Sequence, residues 1–366
     1  MMRFRRLRTV IALAFIAVVM GSVHAGADPD SAAQTTVART PVDLPPDMQP
    51  GTDPFLWLEQ VHGAQALAWV ESENAKTFAA LDKDQNYQAF YDDTLAISQS
   101  KDRVPQPEII GGEVYNFWRD DVHVRGILRR ATLASYDSSS PDWTTVLDLD
   151  ALARSENANW VYEGIDCPYP EETRCMVVLS DGGEDATTER EFDLSTSGFV
   201  AGGFALPHGK QSEAWQNADT LLVAREWSPG LLTTSGYPYV VKRLTRGEAL
   251  ADATTVFSGK PSDVGSSPFV LDDGSGNHVT MIVRNVSFFS SEYYLADANG
   301  TRQIALPDQV NIRGLVDGRL IVTLNESWTV AGATFPAGPA SCFSSSALMR
   351  LASTSPTTAI TALPTL

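Results

Sequence analysis

The sequence predicts a mainly β protein, an incomplete β-propeller of about five blades preceded by a short α-helical N-terminal segment. Three observations lead there. From Val104 onward, short apolar runs are broken at close intervals by Gly, Pro, Asp and Ser, the texture of all-β architecture. Candidate outer strands at Val146–Leu149, Glu191–Leu194, Val240–Leu244 and Tyr293–Ala296 recur roughly every 45 to 50 residues, the length of one four-stranded blade. That regularity favours a propeller over a β-sandwich with long loops. Only ahead of Val104 do apolar residues recur at clear three- and four-residue steps.

Taken in order, residues 1–25 combine a basic start (Arg3, Arg5, Arg6, Arg8), an apolar stretch Val10–Met20, and Val23 and Ala25 flanking His24. This reads as a signal peptide cut after Ala25. The apolar stretch is about half of the ~20 residues a membrane-spanning helix needs, so no stable membrane anchor is expected. The mature chain is expected to be exported, periplasmic or secreted; Arg5-Arg6 leaves the twin-arginine and general routes both open. Residues 26–51 carry Pro29, Pro41, Pro45, Pro46 and Pro50 among small polar residues and read as a flexible leader.

Residues 52–100 form the helical segment. Asp53-Pro54 supplies a side-chain acceptor and a fixed φ for a first turn. After Gly63, Leu67, Val70, Asn74, Phe78 and Leu81 make one mostly apolar stripe, with Glu71, Glu73 and Lys76 elsewhere. Tyr87, Phe90, Tyr91, Thr94 and Leu95 predict a second helix ending near Ser98. Residues 101–338 supply the partial propeller. Ile109-Ile110, Gly111-Gly112 and Val114–Trp118 read as a hairpin, Ile127–Tyr136 as a strand, and Trp143–Leu149 as the next. Residues 339–366 are low-complexity, rich in Ser, Thr, Ala and Pro, and are expected to be a non-native tail.

With 366 residues, 43% of them hydrophobic, the chain is long enough for a sizeable core. Its formal charge of −18 argues against nucleic acid as a partner, because that affinity rests on phosphate neutralisation by Lys and Arg. In an oxidising compartment, Cys167 and Cys175 of CPYPEETRC are candidates for a local disulfide, with two buried free thiols as the alternative. No His or second Cys pair lies at zinc-ligand spacing, and Cys342 is left over.

DPFLWLE followed by ALAWVESENAKT resembles the N-terminal signature of the prolyl oligopeptidase family of serine peptidases. The resemblance continues through YNFWRDDVHVRGILRRATLASY (Tyr115–Tyr136), PDWTTVLDLDAL (Pro141–Leu152), NWVYEG (Asn159–Gly164), REFDL (Arg190–Leu194) and LTTSGYP (Leu232–Pro238), and covers roughly residues 53–338. It implies a seven-bladed propeller, about two blades more than residues 101–338 hold. It also implies a C-terminal α/β-hydrolase domain in which a serine on a nucleophile elbow precedes an aspartate and a histidine.

That chemistry is not legible here. No G-x-S-x-G occurs; the nearest string, Asp273-Gly274-Ser275-Gly276-Asn277, reads as a loop tip. His62, His123, His208 and His278 all fall in segments matching the family's helical or propeller region, where no catalytic base resides. The acidic string Asp181–Asp185 lacks the regular spacing of a calcium loop. The expectation is therefore no catalytic residue, no metal and no cofactor in this chain, with its substrate-binding positions unassigned. The resemblance implies a whole enzyme that hydrolyses short peptides after proline or related residues, its propeller screening out large substrates. This chain is expected to be a truncated, inactive reading of such a gene, through a frameshift or premature stop; the alternative is a secreted non-enzymatic propeller that binds peptides or proteins.

Overall fold

The computed structural model describes residues 53–60, 62–297, 300–330, 333–344 and 361–362. The expected signal peptide and leader lie outside the described residues, as does most of the expected tail. Two compact units emerge, a helical one ending at Lys101 and a β one beginning at Asp102.

In the helical unit, the Asp53 carboxylate accepts a hydrogen bond from the Phe55 amide at 2.8 Å and starts a 3-10 turn, Leu56–Glu59. Helix α1 (Ala64–Leu81) follows Gly63, and α2 (Tyr87–Gln99) follows a turn closed by Asp84. Trp57 meets Trp69 of α1 edge to face, ring centres 6.3 Å apart. The stripe Leu67, Val70, Phe78 and Leu81 is exposed throughout, and Ala66 is the one buried residue of α1. Among the described residues no helix is long and apolar enough to cross a membrane.

The β unit is a row of antiparallel sheets. The first holds β1 (Glu108–Ile110), β2 (Glu113–Trp118), β3 (Ile127–Ala131) and β4 (Thr144–Asp148), paired in that order. Gly111 and Gly112 both have positive φ in the β1–β2 turn, the conformation a tight hairpin demands. The second sheet holds β5 (Trp160–Asp166), β6 (Arg174–Asp181), β7 (Thr187–Asp193) and β8 (Gly198–Phe199), with β9 (Ala205–Gly209) also on β7. The third is β10 (Gln211–Asn217), β11 (Thr220–Arg225), β12 (Val240–Thr245) and β13 (Thr254–Ser258). The fourth is β14 (Gly265–Asp272), β15 (His278–Ser287), β16 (Ser290–Asp297) and β17 (Gly300–Ile304). The fifth contains β18 (Val310–Val316) and β19 (Arg319–Leu324), then a two-stranded insertion of β20 (Trp328–Val330) and β21 (Ala333–Phe335), and finally β22 (Gly338–Ser344) and β23 (Thr361–Ala362).

Two expectations need correction. The strand expected over Ile127–Tyr136 stops at Ala131, because the Thr132 hydroxyl accepts from the Ser135 amide and opens the short helix α3 (Leu133–Tyr136). The recurring "outer" strands are not equivalent either. Val146 lies in the fourth strand of its sheet, and Leu149 already begins α4 (Leu149–Glu156), whereas Glu191, Val240 and Tyr293 lie in third strands. The third strand of the first sheet carries Arg129 and Arg130, which interrupt the apolar alternation that marks its counterparts.

Side chains alternate across each strand, so a middle sheet must be apolar on both faces to pack on two neighbours. The buried clusters show this directly. Ile110, Tyr115 and Leu128 of the first sheet pack with Cys175, Val177 and Leu179 of the second. Met176, on the opposite face of β6, joins Leu206, Trp215, Leu221 and Val223. Leu222, Ala224 and Val241 then meet Ile282 and Ala296 of the fourth sheet. Met281 and Leu295 meet Leu320, Val322 and Leu324 of the fifth. Among the described residues these clusters join consecutive sheets only, so the five blades form an incomplete propeller.

If those seams hold the row together, emptying one should be costly. Ile282→Ala, at a fully buried position between the third and fourth sheets, is expected to lower unfolding stability by about 2–5 kcal/mol in urea. Phe289→Ala, at an 84% exposed position, is expected to stay within about 0.5 kcal/mol.

Candidate functional site

The largest concentration of buried charge lies in the seam between the second and third sheets. Period-two alternation puts Glu189 and Glu191 on one face of β7, and both are 1% exposed. On the facing sheet, Gln211 and Arg225 are direct cross-strand partners, and Glu213 follows Gln211 on the same face. Glu189 Oε1 accepts from the Thr187 hydroxyl at 2.8 Å. Glu189 Oε2 and Glu213 Oε1 are buried with no donor from another side chain, and two ionised carboxylates have none to offer each other. A proton on either carboxyl would supply the missing donor. The electrostatics agree. Burial pushes the Glu189 carboxyl up to about 7, with Asp166 reinforcing it and the Thr187 hydroxyl, Glu213 and Arg225 opposing. Burial also raises the Glu213 carboxyl well above the usual range, reinforced by the charges of Glu189 and Asp166.

A few ångströms along the same seam the arrangement is ionic. Glu191 Oε2 accepts from the Phe204 amide (2.8 Å) and from Arg246 Nη1 (2.7 Å). Arg246 also reaches Asp219 Oδ1 at 2.8 Å and lies over the Phe204 ring at 4.6 Å. A Cβ at position 203 would come within 2.7 Å of Glu191 Oε2, so the chain passes this carboxylate only as glycine. The seam clamps two sheets; it presents no nucleophile.

The histidines do not supply one. His62 is exposed in the helical unit. His123 Nδ1 sits 3.0 Å from Asp120 Oδ1; burial alone would raise that carboxyl, but the His123 and Val122 amides and the Trp118 indole outweigh it and hold it well below the usual range. His208 Nε2 pairs with Glu184 at 2.7 Å on the surface. His278 comes nearest to a hydrolytic arrangement, with Nδ1 3.5 Å from Asp272 Oδ2 and Nε2 3.5 Å from Thr280 Oγ1. Both contacts exceed the ~2.6–3.2 Å that proton transfer needs. They follow from strand register alone, since Asp272 is the cross-strand partner of His278 and Thr280 is two residues along its strand.

The remaining singled-out residues fall in turns. Asp273 closes its loop by accepting from the Ser275 and Asn277 amides, and Gly274 and Gly276 have positive φ, so Ser275 rides on a loop tip. Asp181–Asp185 forms the β6–β7 turn, where Glu184 pairs with His208 and Asp185 accepts from the Tyr237 hydroxyl. Among the described residues no three His, Cys, Asp or Glu side chains gather in a group able to hold a metal ion. Cys167 and Cys175 are joined in a disulfide with an S–S distance of 2.04 Å. Cys342 contributes its backbone to β22. The buried Glu189–Glu213 pair was missed in the sequence, although Glu189 and Glu191 at inward positions of an otherwise core-forming strand are its signal.

Comparison with known proteins places this geometry. Residues 34–332 match the family model of the prolyl oligopeptidase N-terminal β-propeller domain. An uncharacterized peptidase of Sinorhizobium fredii is 39% identical over 336 residues, covering 90% of this chain and 46% of the relative. An uncharacterized peptidase of Rickettsia prowazekii is 26% identical over 295 residues, covering 77% of this chain and 41% of the relative. The chain thus spans less than half the length of these curated relatives. Among solved structures, a post-proline cleaving enzyme from Rickettsia typhi superposes with a TM-score of 0.76 at 26% identity, over 84% of this chain and 46% of that one. Oligopeptidase B from Leishmania major gives 0.56 at 14% identity, over 75% and 38%, a likeness of fold alone.

The carboxyl pair fixes a pH dependence. A carboxyl whose folded pKa is raised contributes no penalty below its unfolded value, and destabilises the fold progressively as pH rises from there through the folded value. Unfolding stability is therefore expected to fall as pH rises from about 4.5 through about 7, by an amount on the order of 3 kcal/mol. Glu213→Gln should flatten that slope in urea titrations across the window. The depressed carboxyls Asp120, Glu156, Asp193, Asp263 and Asp273 act in the opposite sense, below the usual carboxylate range, and leave this window to the pair.

Proposed function

The chain belongs to the prolyl oligopeptidase family, through its N-terminal β-propeller, and from that premise we propose that it is the propeller part of an exported serine-type endopeptidase acting on short peptides after proline or related residues. The observation that carries the reading is the family match over residues 34–332 of a chain folded as five successive blades. The substrate class is supported by the post-proline cleaving enzyme of Rickettsia typhi, and export by the basic, apolar and small-residue pattern of residues 1–25.

The same proposal assigns these residues a screening role and no bond cleavage of their own. None of the four described histidines meets a hydroxyl nucleophile at hydrogen-bonding distance with a carboxylate behind it, save the loose Asp272–His278–Thr280 contacts imposed by strand register. Acyl transfer needs that constellation together with donors for the oxyanion.

The purified chain is expected to leave a proline-containing fluorogenic peptide intact. Turnover that a serine-directed phosphonate blocks would overturn the assignment, and stoichiometric capture of a folded protein partner would favour a binding module instead. Export is checked by N-terminal sequencing of the mature chain, expected to begin at Gly26.

A further inference from the structure

Strand order sorts the loops of the β unit by end. The turns joining the first and second strands of each sheet emerge at one end of the blades, beside the innermost strands. They are Gly111-Gly112, the loop 167–173, Ala218-Asp219, the loop 273–277 and Asp317-Gly318. Blades that are not adjacent would be expected to be linked there only through those between them. The second sheet's loop does more. Its Glu172 carboxylate accepts from the Gly111 amide of the first sheet at 2.8 Å. Its Tyr169 hydroxyl donates to the Gly274 carbonyl at 3.0 Å, in the fourth sheet, passing the third. Asp273 of that same fourth-sheet loop accepts from the Gly318 amide of the fifth sheet at 2.7 Å.

These three bonds link the first, second, fourth and fifth sheets in one line across the inner side of the arc. Consecutive packing seams cannot do this, because each ties a sheet only to the next. The loop that makes the long reach is the one closed by the Cys167–Cys175 disulfide, which returns the chain to β6 eight residues after it leaves β5. A loop held at its base spans a gap at less conformational cost than a free one. Glu172 itself sits at a φ of +44°, a left-handed conformation that side chains rarely adopt. The loop is thereby turned so that its carboxylate reaches Gly111.

We infer that the disulfide-closed loop Cys167–Cys175 is a strap across one mouth of the space framed by the innermost strands. It couples sheets that do not touch and narrows access from that end. This goes beyond the proposed peptidase reading and does not depend on it, since the strap is a property of the propeller whatever the propeller admits. Opening it needs two electrons and two protons, as when a dithiol reductant is oxidised to its own disulfide and Cys167 and Cys175 become thiols.

Hydrogen–deuterium exchange on the intact chain tests the strap. Tyr169→Phe keeps the disulfide and removes the donor to Gly274; exchange in residues 273–277 is expected to quicken about fivefold, the loss of one neutral hydrogen bond, while residues 111–112 stay unchanged. Glu172→Asn keeps a residue that tolerates the left-handed backbone but draws the acceptor back by one methylene; it should act at 111–112 and spare 273–277. Reduction with dithiothreitol should quicken both together, by more than about tenfold, and leave the opposite-end turn at 182–183 as it was. Changes confined to residues 167–175 in all three cases would overturn the inference. So would quickening at 182–183 alongside the rest, which would mean general loosening instead of release of a strap.

Discussion

The two-sided burial of the middle strands is the constraint on which the β unit depends. Cys175 and Val177 face one neighbour while Met176 faces the other; Leu221 and Val223 face the second sheet while Leu222 and Ala224 face the fourth. A strand buried on both faces reads as a continuous apolar run, and the runs CMVVL and TLLVA are of that kind. Sheets of this sort have no stable existence alone. Each contributes half of two seams, and at roughly 25 cal/mol per Å² of apolar surface removed from water the seams are the main source of stability. The hydrogen bonds between strands fix register, but they hold each sheet to itself.

Among the described residues no further sheet packs on the outer face of the first or of the fifth sheet. In the first sheet that face carries Val114, Ala131, Trp118 and Arg129. The chain arriving from Asp102 lies along it: Gln106 accepts from the Asn116 side chain, the Tyr136 hydroxyl donates to Pro105, and Arg103 stacks on Trp118 at 4.8 Å. Arg129 is held between Trp118 and Trp143 at 4.2 and 4.4 Å, and burial is the main reason its guanidinium drops to about 10. The fifth sheet treats its far face differently, with Asn311 and Arg313 exposed and Arg313 donating to the Thr323 hydroxyl. The first sheet's outer face is thus largely apolar and buried, whereas the fifth's is polar and exposed at Asn311 and Arg313.

This division explains what the sequence revealed. Blade repeat, the positions of α1 and α2 and the Gly111-Gly112 hairpin were readable, because each follows from local periodicity or from a backbone conformation only certain residues adopt, whereas α3 and the start of α4 fell in stretches read as strand. Strand rank within a blade was not. Third and fourth strands both alternate, and which one alternates more cleanly depends on what faces it, as Arg129 and Arg130 of β3 show. The Glu189–Glu213 pair was illegible for a related reason. Its members lie 24 residues apart on different sheets, and a glutamate in a strand ordinarily marks the solvated face. Only the packing of second sheet on third turns them toward each other.

A charged seam between two blades otherwise joined by apolar contacts calls for a physical reason. Replacing a buried ion pair by apolar residues is commonly neutral or stabilising, so Arg246–Glu191 and Glu189–Glu213 are not explained by stability. They do fix registry. Apolar faces slide on one another at little cost, whereas Glu191 receives the Phe204 amide and Arg246 at once, and Arg246 must also reach Asp219. The Phe204 amide holds Glu191 within the second sheet and Asp219 holds Arg246 within the third, so the one bond of the three that crosses, Arg246–Glu191, sets the offset. That seam is also where the strap departs: Trp215, packed in the same cluster, donates its indole N–H to the Asp166 carbonyl, at the end of β5 and one residue before Cys167. An offset error in the seam would therefore carry Tyr169 away from Gly274. The polar seam sets the position from which the loop reaches across the arc, and the apolar seams on either side hold the sheets it reaches.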